Sequence, residues 1–266
     1  MNHDATWNAL MGGFVTYLQA ADRSPGTIRL YRYRIMLLAE HAKRPSACTP
    51  DMLLHLLARP GWAPETRKSV RTAWRAFFGW AVRAGKVSVD PTLDLPAISV
   101  PQAEPRPAPE RVVRASILAA SDRERFMVQL GAYAGLRCCE IARVHADDWD
   151  GRILQVVGKG RKVRRVPIRQ PELVQQLDQL EGWAFPNRWT GQPITAGHVS
   201  KLLSRVLGHG WTAHPLRHRF GTIALEATKD LLAVGQVMGH SRPETTQRYC
   251  KVGQERLDAV AIAAAA

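Results

Sequence analysis

A dense run of prolines constrains the fold of this chain more than any other feature. Six prolines fall within nineteen residues: Pro91, Pro96, Pro101, Pro105, Pro107 and Pro109. Proline lacks a backbone N–H and its ring clashes with the preceding helical turn, so this stretch is excluded from helices and central strands. The sequence therefore predicts two domains, residues 1–90 and 110–266, joined by a Pro-rich linker at 91–109.

The segment before the linker has the pattern of a helical bundle. Ser24 is suited to cap a helix with Pro25 at its first position, and apolar residues then recur at helical spacing. The same pattern follows Pro50 and Pro64, and Gly85 marks a helix stop. With a further helix predicted near the start, the first domain is expected to contain four helices.

The chain is strongly basic. It carries 37 Lys and Arg against 23 Asp and Glu, a net charge of +14, of which +6 falls in residues 1–100 and +8 in the rest. Such a charge favours a polyanionic partner, nucleic acid ahead of an anionic membrane surface. Basic side chains between the apolar positions of the predicted helices, or near a predicted hairpin tip, are candidate DNA contacts: Arg29, Arg32, Arg67, Lys68, Arg71, Arg75, Arg161 and Lys162.

Composition also argues against other classes of protein. The sequence has no apolar run of about 18 residues, and its start lacks the pattern of a signal peptide, so we expect a soluble, unsecreted protein with no membrane partner. The four cysteines, Cys48, Cys138, Cys139 and Cys250, lack CxxC spacing, which favours free thiols in a reducing compartment. We expect neither a metal nor a cofactor.

The segment after the linker combines helical patterns with one β-rich patch. Two β-rich runs within residues 151–168 flank the turn Gly158-Lys159-Gly160. This arrangement predicts a hairpin with Lys159 at its tip. The second domain is therefore expected to be mixed α+β, with a small antiparallel sheet.

Two pairs of polar residues in this domain stand three positions apart. Gly135 precedes a predicted helix that carries Arg137 and Glu140, and His214 and Arg217 share the start of another helix. Taken alone, the first pair would be a surface ion pair and the second an exposed helix face. Neither pair identifies a function by itself.

A further motif lies near the end of the sequence. Ser241 and Glu244 form a capping-box pattern, which places His240 just outside a helix start, where free backbone N–H groups favour an anion. Tyr249 follows about two turns along that helix. A helical tyrosine is usually a core or surface residue, but this one would be presented near the anion site.

Together and in this order, these motifs resemble the tyrosine recombinase family of phage integrases and Xer-type recombinases, over almost the whole chain. The resemblance implies a mainly α fold, with a four-helix, SAM-like core-binding domain and a mixed α+β catalytic domain. It also implies a catalytic set: Arg137, Lys159, His214, Arg217, His240 and Tyr249. The chain departs from the family pattern at Cys138-Cys139 and at Pro215, and neither departure removes a catalytic side chain.

The chemistry implied by the resemblance suits these residue types. Arg137 and Arg217 would meet the extra negative charge of a phosphorane-like transition state, with a hydrogen bond from His240. Ionising a phenol of pKa near 10 at neutral pH costs about 4 kcal/mol, so His214 is assigned as the base for Tyr249. Lys159 would protonate the departing 5′ oxygen, and Glu140 would orient neighbouring groups.

The resemblance also implies an assembly. Four protomers would act on two double-stranded core-type sites and pass through a Holliday junction, with a possible accessory DNA-bending protein. The tail from about residue 252 would dock on a neighbouring protomer or pack on its own. The chain begins almost at once with the core-binding helices, so we expect recognition of core sites only, in the cytoplasm of a bacterial host and associated with the nucleoid.

Several functions stay open at this point. We favour a phage or mobile-element integrase that forms a 3′-phosphotyrosine intermediate, ahead of a Xer-type resolving enzyme. A type IB topoisomerase would use the same chemistry but would relax supercoils as a monomer. A non-catalytic DNA-binding regulator would explain the charge, but it would leave the ordered motifs to coincidence.

Overall fold

The Pro-rich stretch contains the boundary between two compact units, Met1–Gln102 and Ala103–Ala266, in a computed structural model of the chain. The structure describes residues 6–101, 104–158, 162–208 and 210–239.

The described residues of the first unit contain the four α-helices that the sequence predicts. Their bounds are α1 Trp7–Ala20, α2 Pro25–Met36, α3 Pro50–Ala58 and α4 Pro64–Arg83. Thr6, Ser24 and Thr49 cap the first three by accepting hydrogen bonds from backbone N–H groups, and each of α2, α3 and α4 has a proline in its first turn. These local signals decide where the helices begin.

Aromatic side chains form much of the core of this unit. Phe14 and Phe77 meet edge to face at 5.3 Å between ring centroids, and the Trp7 ring stacks on Phe77 at 5.8 Å. Two indoles also have polar partners, since Trp7 Nε1 donates to the Ala42 carbonyl and Trp74 Nε1 to the Arg34 carbonyl. These hydrogen bonds satisfy the indole N–H groups and hold the two rings in place within the apolar core.

The start of the Pro-rich stretch packs on the first unit. Thr92 and Leu95 are buried there. Arg71 Nε and Nη2 donate to the Leu95 carbonyl at 3.0 and 2.7 Å, and Arg75 Nη1 donates to the carbonyls of Thr92 and Leu93 at 3.0 Å each. Two arginines of α4 therefore hold the chain that leaves this unit.

The second unit is mainly helical, with one small sheet in its described residues. Its elements are α5 Glu110–Ala119, α6 Asp122–Tyr133, α7 Cys138–Ile141, β1 Ile153–Val157, β2 Val163–Pro167, α8 Pro171–Asp178, α9 Ala196–Leu207, α10 Ala213–Thr228 and α11 Leu231–Met238. The strands are antiparallel, with Val157 opposite Val163 and Leu154 opposite Val166. The predicted fold class is confirmed, and the hairpin tip at 159–161 lies outside the described residues.

Helix α6 lies at the centre of the second unit. Its residues 126–132 are buried, and it packs against α5, α8, α9 and α10. The chain enters this unit beside α10, because Ala108 is buried and its backbone N–H donates to the Pro215 carbonyl. The core thus fixes α10, which carries Arg217, and the turn after α6, which carries Arg137.

Among the helices of the described ranges, none has the length and apolar character needed to span a bilayer.

Candidate active site

A tight turn between α6 and α7 positions Arg137. Gly135 has a φ of +65°, and a Cβ atom built there would lie 2.6 Å from Cδ1 of Phe220, so both the backbone and the packing require glycine. Arg137 then caps α7, and its backbone N–H donates to Glu140 Oε2 at 2.8 Å. The predicted pair three residues apart is therefore built into a helix start.

Glu140 is a buried carboxylate shared by two arginines. Its side chain is 1% exposed, and Oε1 accepts from Arg137 Nη1 at 2.9 Å and from Arg164 Nη1 at 2.8 Å. Oε2 accepts from Arg164 Nη2 at 2.8 Å. Burial alone would raise the pKa of this carboxyl, but the bonds and charges of Arg164 and Arg137 outweigh burial and hold the pKa below its ordinary value.

Arg164 is a site residue that our sequence analysis missed. It lies on β2, and its Nε also donates to the Val237 carbonyl at 2.8 Å. The alternation of the strand could have identified it. Side chains two positions apart lie on the same face, so residue 164 shares the face of Val166 and Ile168, which are buried. Arg165, on the other face, is exposed.

Arg217 projects from the first turns of α10 and is 2% exposed. Its Nη1 donates to the Gly135 carbonyl and its Nη2 to the Met238 carbonyl. His214 is exposed in the first turn of the same helix, and its ring centroid lies 4.4 Å from that of His218. The predicted His-x-x-Arg pair thus shares one helix end, with the arginine directed inward.

The C-terminal end of α11 is where the arginines converge. Three successive carbonyls accept from them: Val237 from Arg164, Met238 from both Arg137 and Arg217, and Gly239 from Arg137. The two bonds from Arg137 are long, at 3.4 Å each, and the Arg137 side chain is 37% exposed. A helix C-terminus carries partial negative charge, so it is a suitable anchor for fixed cations.

The structure brings together two of the predicted catalytic arginines and Glu140, the residue predicted to orient them. Arg137, Arg217 and Glu140 form one cluster at the end of α11, and His214 lies one turn from Arg217 on α10. The other predicted catalytic residues, Lys159, His240 and Tyr249, lie outside the described residues. His240 directly follows Gly239 in the sequence.

The predicted DNA contacts differ in their surroundings. Arg29, Arg32, Lys68 and Lys162 are exposed, whereas Arg67 is half-buried. Arg71 and Arg75 hold the chain at residues 92–95, as described above, and Arg161 lies outside the described residues. Contact with DNA stays a prediction for all eight.

The cluster combines features suited to an anion. Two guanidinium groups, Arg137 and Arg217, are held at one carbonyl oxygen, and an arginine presents a planar fork that matches phosphate oxygens. Within the described ranges, no group of three or more His, Cys, Asp or Glu side chains is arranged to hold a metal ion.

Comparison with known proteins places this chain in a family. The profile of the phage integrase family matches residues 110–256. Tyrosine recombinase XerC of Mycobacterium bovis (strain BCG / Pasteur 1173P2) is 31% identical, over 95% of this chain and 97% of its own length. Tyrosine recombinase XerA of Thermococcus kodakarensis is 32% identical, over 94% and 93%.

A solved structure agrees at the level of the fold. A lambda integrase fragment, crystallised as a dimer bound to a COC′ core site, is similar with a TM-score of 0.73, over 94% of this chain and all of that chain, at 14% identity. The family profile spans more than half of this chain, and the two Xer relatives align along nearly all of it. This chain therefore belongs to the phage integrase family, as a site-specific tyrosine recombinase that transfers DNA strands.

Proposed function

We propose that this recombinase cleaves and rejoins DNA at core-type sites through a 3′-phosphotyrosine formed on Tyr249. The observation that carries the proposal is the convergence of Arg137 and Arg217 on the Met238 carbonyl, two residues before His240. A scissile phosphate bound there would replace the long bonds of Arg137 to the end of α11. The proposed site thus has two fixed cations at the end of α11, and a third donor, His240, directly follows that end in the sequence.

The cleavage step exchanges one phosphate ester for another. The Tyr249 oxygen attacks phosphorus, its proton passes to His214, and the bond between phosphorus and the 5′ oxygen breaks. Lys159 donates a proton to that oxygen, and Arg137, Arg217 and His240 stabilise the added charge on the non-bridging oxygens. The covalent link conserves the ester, so a 5′ hydroxyl from another strand reverses the step without an external energy source.

The first test traps the covalent intermediate. A nicked suicide substrate, which loses its 5′ hydroxyl fragment by diffusion, should accumulate an adduct with the wild-type protein and none with Tyr249→Phe. Tyr33→Phe is the matched control, because Tyr33 is an exposed tyrosine of α2, and this variant should form the adduct at the wild-type rate. An adduct with Tyr249→Phe would refute the assignment of the nucleophile.

The second test addresses the two arginines. Arg137→Ala and Arg217→Ala should each slow single-turnover cleavage by about 10²–10³-fold, the usual loss for one donor to a developing oxyanion. Arg165→Ala is the control, since Arg165 is exposed on the outer face of β2. If one of these variants cleaves at the rate of the control, the arginine that it replaces does not stabilise the transition state.

The Xer relatives favour a second candidate function for the same chemistry. Both curated relatives described above are Xer recombinases that align along nearly the whole chain, which supports a resolving enzyme as an alternative to an integrase. Trapped cleavage and footprinting on DNA from the neighbourhood of the gene separate the two. A site beside the gene indicates a mobile-element integrase, and its absence there favours resolution.

We further propose an assembly of four protomers on two core-type sites, with docking of the tail from residue 252 between protomers and an accessory DNA-bending protein. The lambda integrase structure supports the partner class, because that protein is a dimer on a core site. The net charge of +14 also fits extensive contact with a DNA backbone.

A further inference from the structure

We propose that Arg164 is a positioning residue for strand cleavage, which aligns Arg137 through the carboxylate that the two arginines share. The inference rests on the proposed function, since it takes Arg137 to contact the scissile phosphate. The motifs read from the sequence do not include Arg164, and no part of the proposed chemistry assigns it a role. Its side chain is 10% exposed and directed into the protein, so it acts through other residues.

The contacts of Arg164 use its whole guanidinium edge. Nη1 and Nη2 bind the two oxygens of Glu140 at 2.8 Å each, while Nε binds the Val237 carbonyl at 2.8 Å. Two of these bonds hold the Glu140 carboxylate, and the third attaches the same guanidinium group to the last turn of α11. Lysine has one compact ammonium and cannot reproduce this fork.

The fixed carboxylate in turn determines where Arg137 lies. Glu140 Oε1 accepts from Arg137 Nη1, and Oε2 accepts from the Arg137 backbone N–H. Both the guanidinium group and the backbone N–H of Arg137 are therefore bonded to one carboxylate, and Arg164 holds that carboxylate in place. The contacts of Arg137 to the end of α11 are 3.4 Å long, so the alignment depends on Glu140 more than on those carbonyls.

The end of α11 packs closely against Arg164. A Cβ atom on Gly239 would lie 2.7 Å from Cδ of Arg164, so the chain at the end of α11 passes directly over this side chain. The glycine has a φ of +63° and ends the helix. Arg164 thus links strand β2, the Arg137 turn and the point where the chain leaves α11 for His240.

The test is a double-mutant cycle in single-turnover cleavage at saturating protein. Arg164→Lys keeps the charge and should slow cleavage by about 10²-fold, the loss expected for a small misplacement of a catalytic group. In an Arg137→Lys background the same change should add less than about threefold, because the group that it positions is already altered. Arg165→Lys, on the opposite face of the strand, should change the rate by less than about twofold in either background.

A second substrate gives a ratio of cleavage rates that a general loss of structure would not change. A methylphosphonate at the cleavage position has no negative charge for Arg137 to neutralise, so the ratio of the wild-type rate to the Arg164→Lys rate should collapse towards one. A ratio that stays near its value on the phosphate substrate, or equal losses in both backgrounds of the cycle, would overturn the proposal.

Folding is controlled with a paired variant. Glu140→Gln combined with Arg164→Met removes both buried charges together, and it should keep the wild-type thermal unfolding midpoint while cleaving as slowly as Arg164→Lys. Recovery of the wild-type rate would contradict the proposal. If wild-type protein forms its adduct on Tyr249 and Arg164→Lys cleaves like Arg165→Lys, the positioning role alone fails; an adduct with Tyr249→Phe would instead defeat the proposed function.

Discussion

At the scale of single residues, one buried carboxylate organises the site. Glu140 would be costly to bury alone, and its depressed pKa reflects two arginines that more than offset the loss of water. The sequence allowed Arg137 and Glu140 to be paired because residues three positions apart on a helix are neighbours. It did not pair Glu140 with Arg164, because that contact joins positions 24 residues apart through the fold of a hairpin.

The same carboxylate leads to a prediction on stability. Glu140→Gln should lower the free energy of unfolding by about 3 kcal/mol at neutral pH, because it leaves Arg164 buried without its charged partner. The folded-state pKa lies below the ordinary 4.5, so the contribution is full above pH 4.5 and is lost as the pH falls through the folded-state pKa. Urea unfolding between pH 3 and pH 7 should show this difference shrinking only at the acid end.

The control for this measurement is Glu226→Gln, a change of the same chemistry at an exposed site of α10. Its effect should stay within about 0.5 kcal/mol across the range, as is usual for a surface substitution. A difference between wild type and Glu140→Gln that grows towards low pH would contradict the sign of the pKa shift.

At the scale of elements, sequence and structure agree where a boundary is set locally. Pro25, Pro50 and Pro64 each lie in the first turn of a helix, as read from the sequence. The packing of residues 92–95 on α4 was not foreseen, since it depends on Arg71 and Arg75 reaching carbonyls about 20 residues away. Local signals mark the ends of elements, whereas contacts between elements depend on the assembled core.

The turn before α7 gives a prediction at this scale. Gly135→Ala should cost about 2–4 kcal/mol of stability, because it combines a positive φ with overpacking against Phe220. It should also slow cleavage, since the Gly135 carbonyl accepts from Arg217. Gly191→Ala is the control, because φ there is +67° with nothing within 4 Å of the added Cβ, and it should cost about 1 kcal/mol and leave cleavage unchanged.

The arginines of the first unit should divide into two groups. Arg71→Met should lower the stability of this unit by about 2 kcal/mol, because it removes charge-assisted bonds to the Leu95 carbonyl. Arg29→Ala with Arg32→Ala should leave stability unchanged and reduce the slope of log K against log salt by about 2, near one per phosphate contact. Thermal unfolding and a salt titration of DNA binding distinguish the groups, and an unchanged slope for the double variant would remove Arg29 and Arg32 from the DNA surface.

At the scale of the whole molecule, the charge belongs to both parts of the sequence. The excess is +6 in residues 1–100 and +8 in the remainder, so neither part alone accounts for the basic charge of the chain. Arg137 and Arg217 account for two positive charges at the proposed phosphate, and Arg164 and Glu140 cancel. Most of the excess is therefore available for the DNA backbone.

Assembly gives the last prediction. In the proposed mechanism each protomer would supply one Tyr249 and cut one strand, so exchange between two duplexes would require four protomers. Native mass spectrometry of Tyr249→Phe should therefore find two protomers on a duplex core site and four on a Holliday junction built from two sites.

Deleting residues 252–266 should reduce the four-protomer species about tenfold if the apolar residues Leu257, Val260 and Ile262 dock on a neighbour. Deleting only the four alanines 263–266 keeps those residues and should leave the assembly intact. If the longer deletion instead abolishes cleavage by single protomers and spares the junction complex, the tail packs on its own protomer.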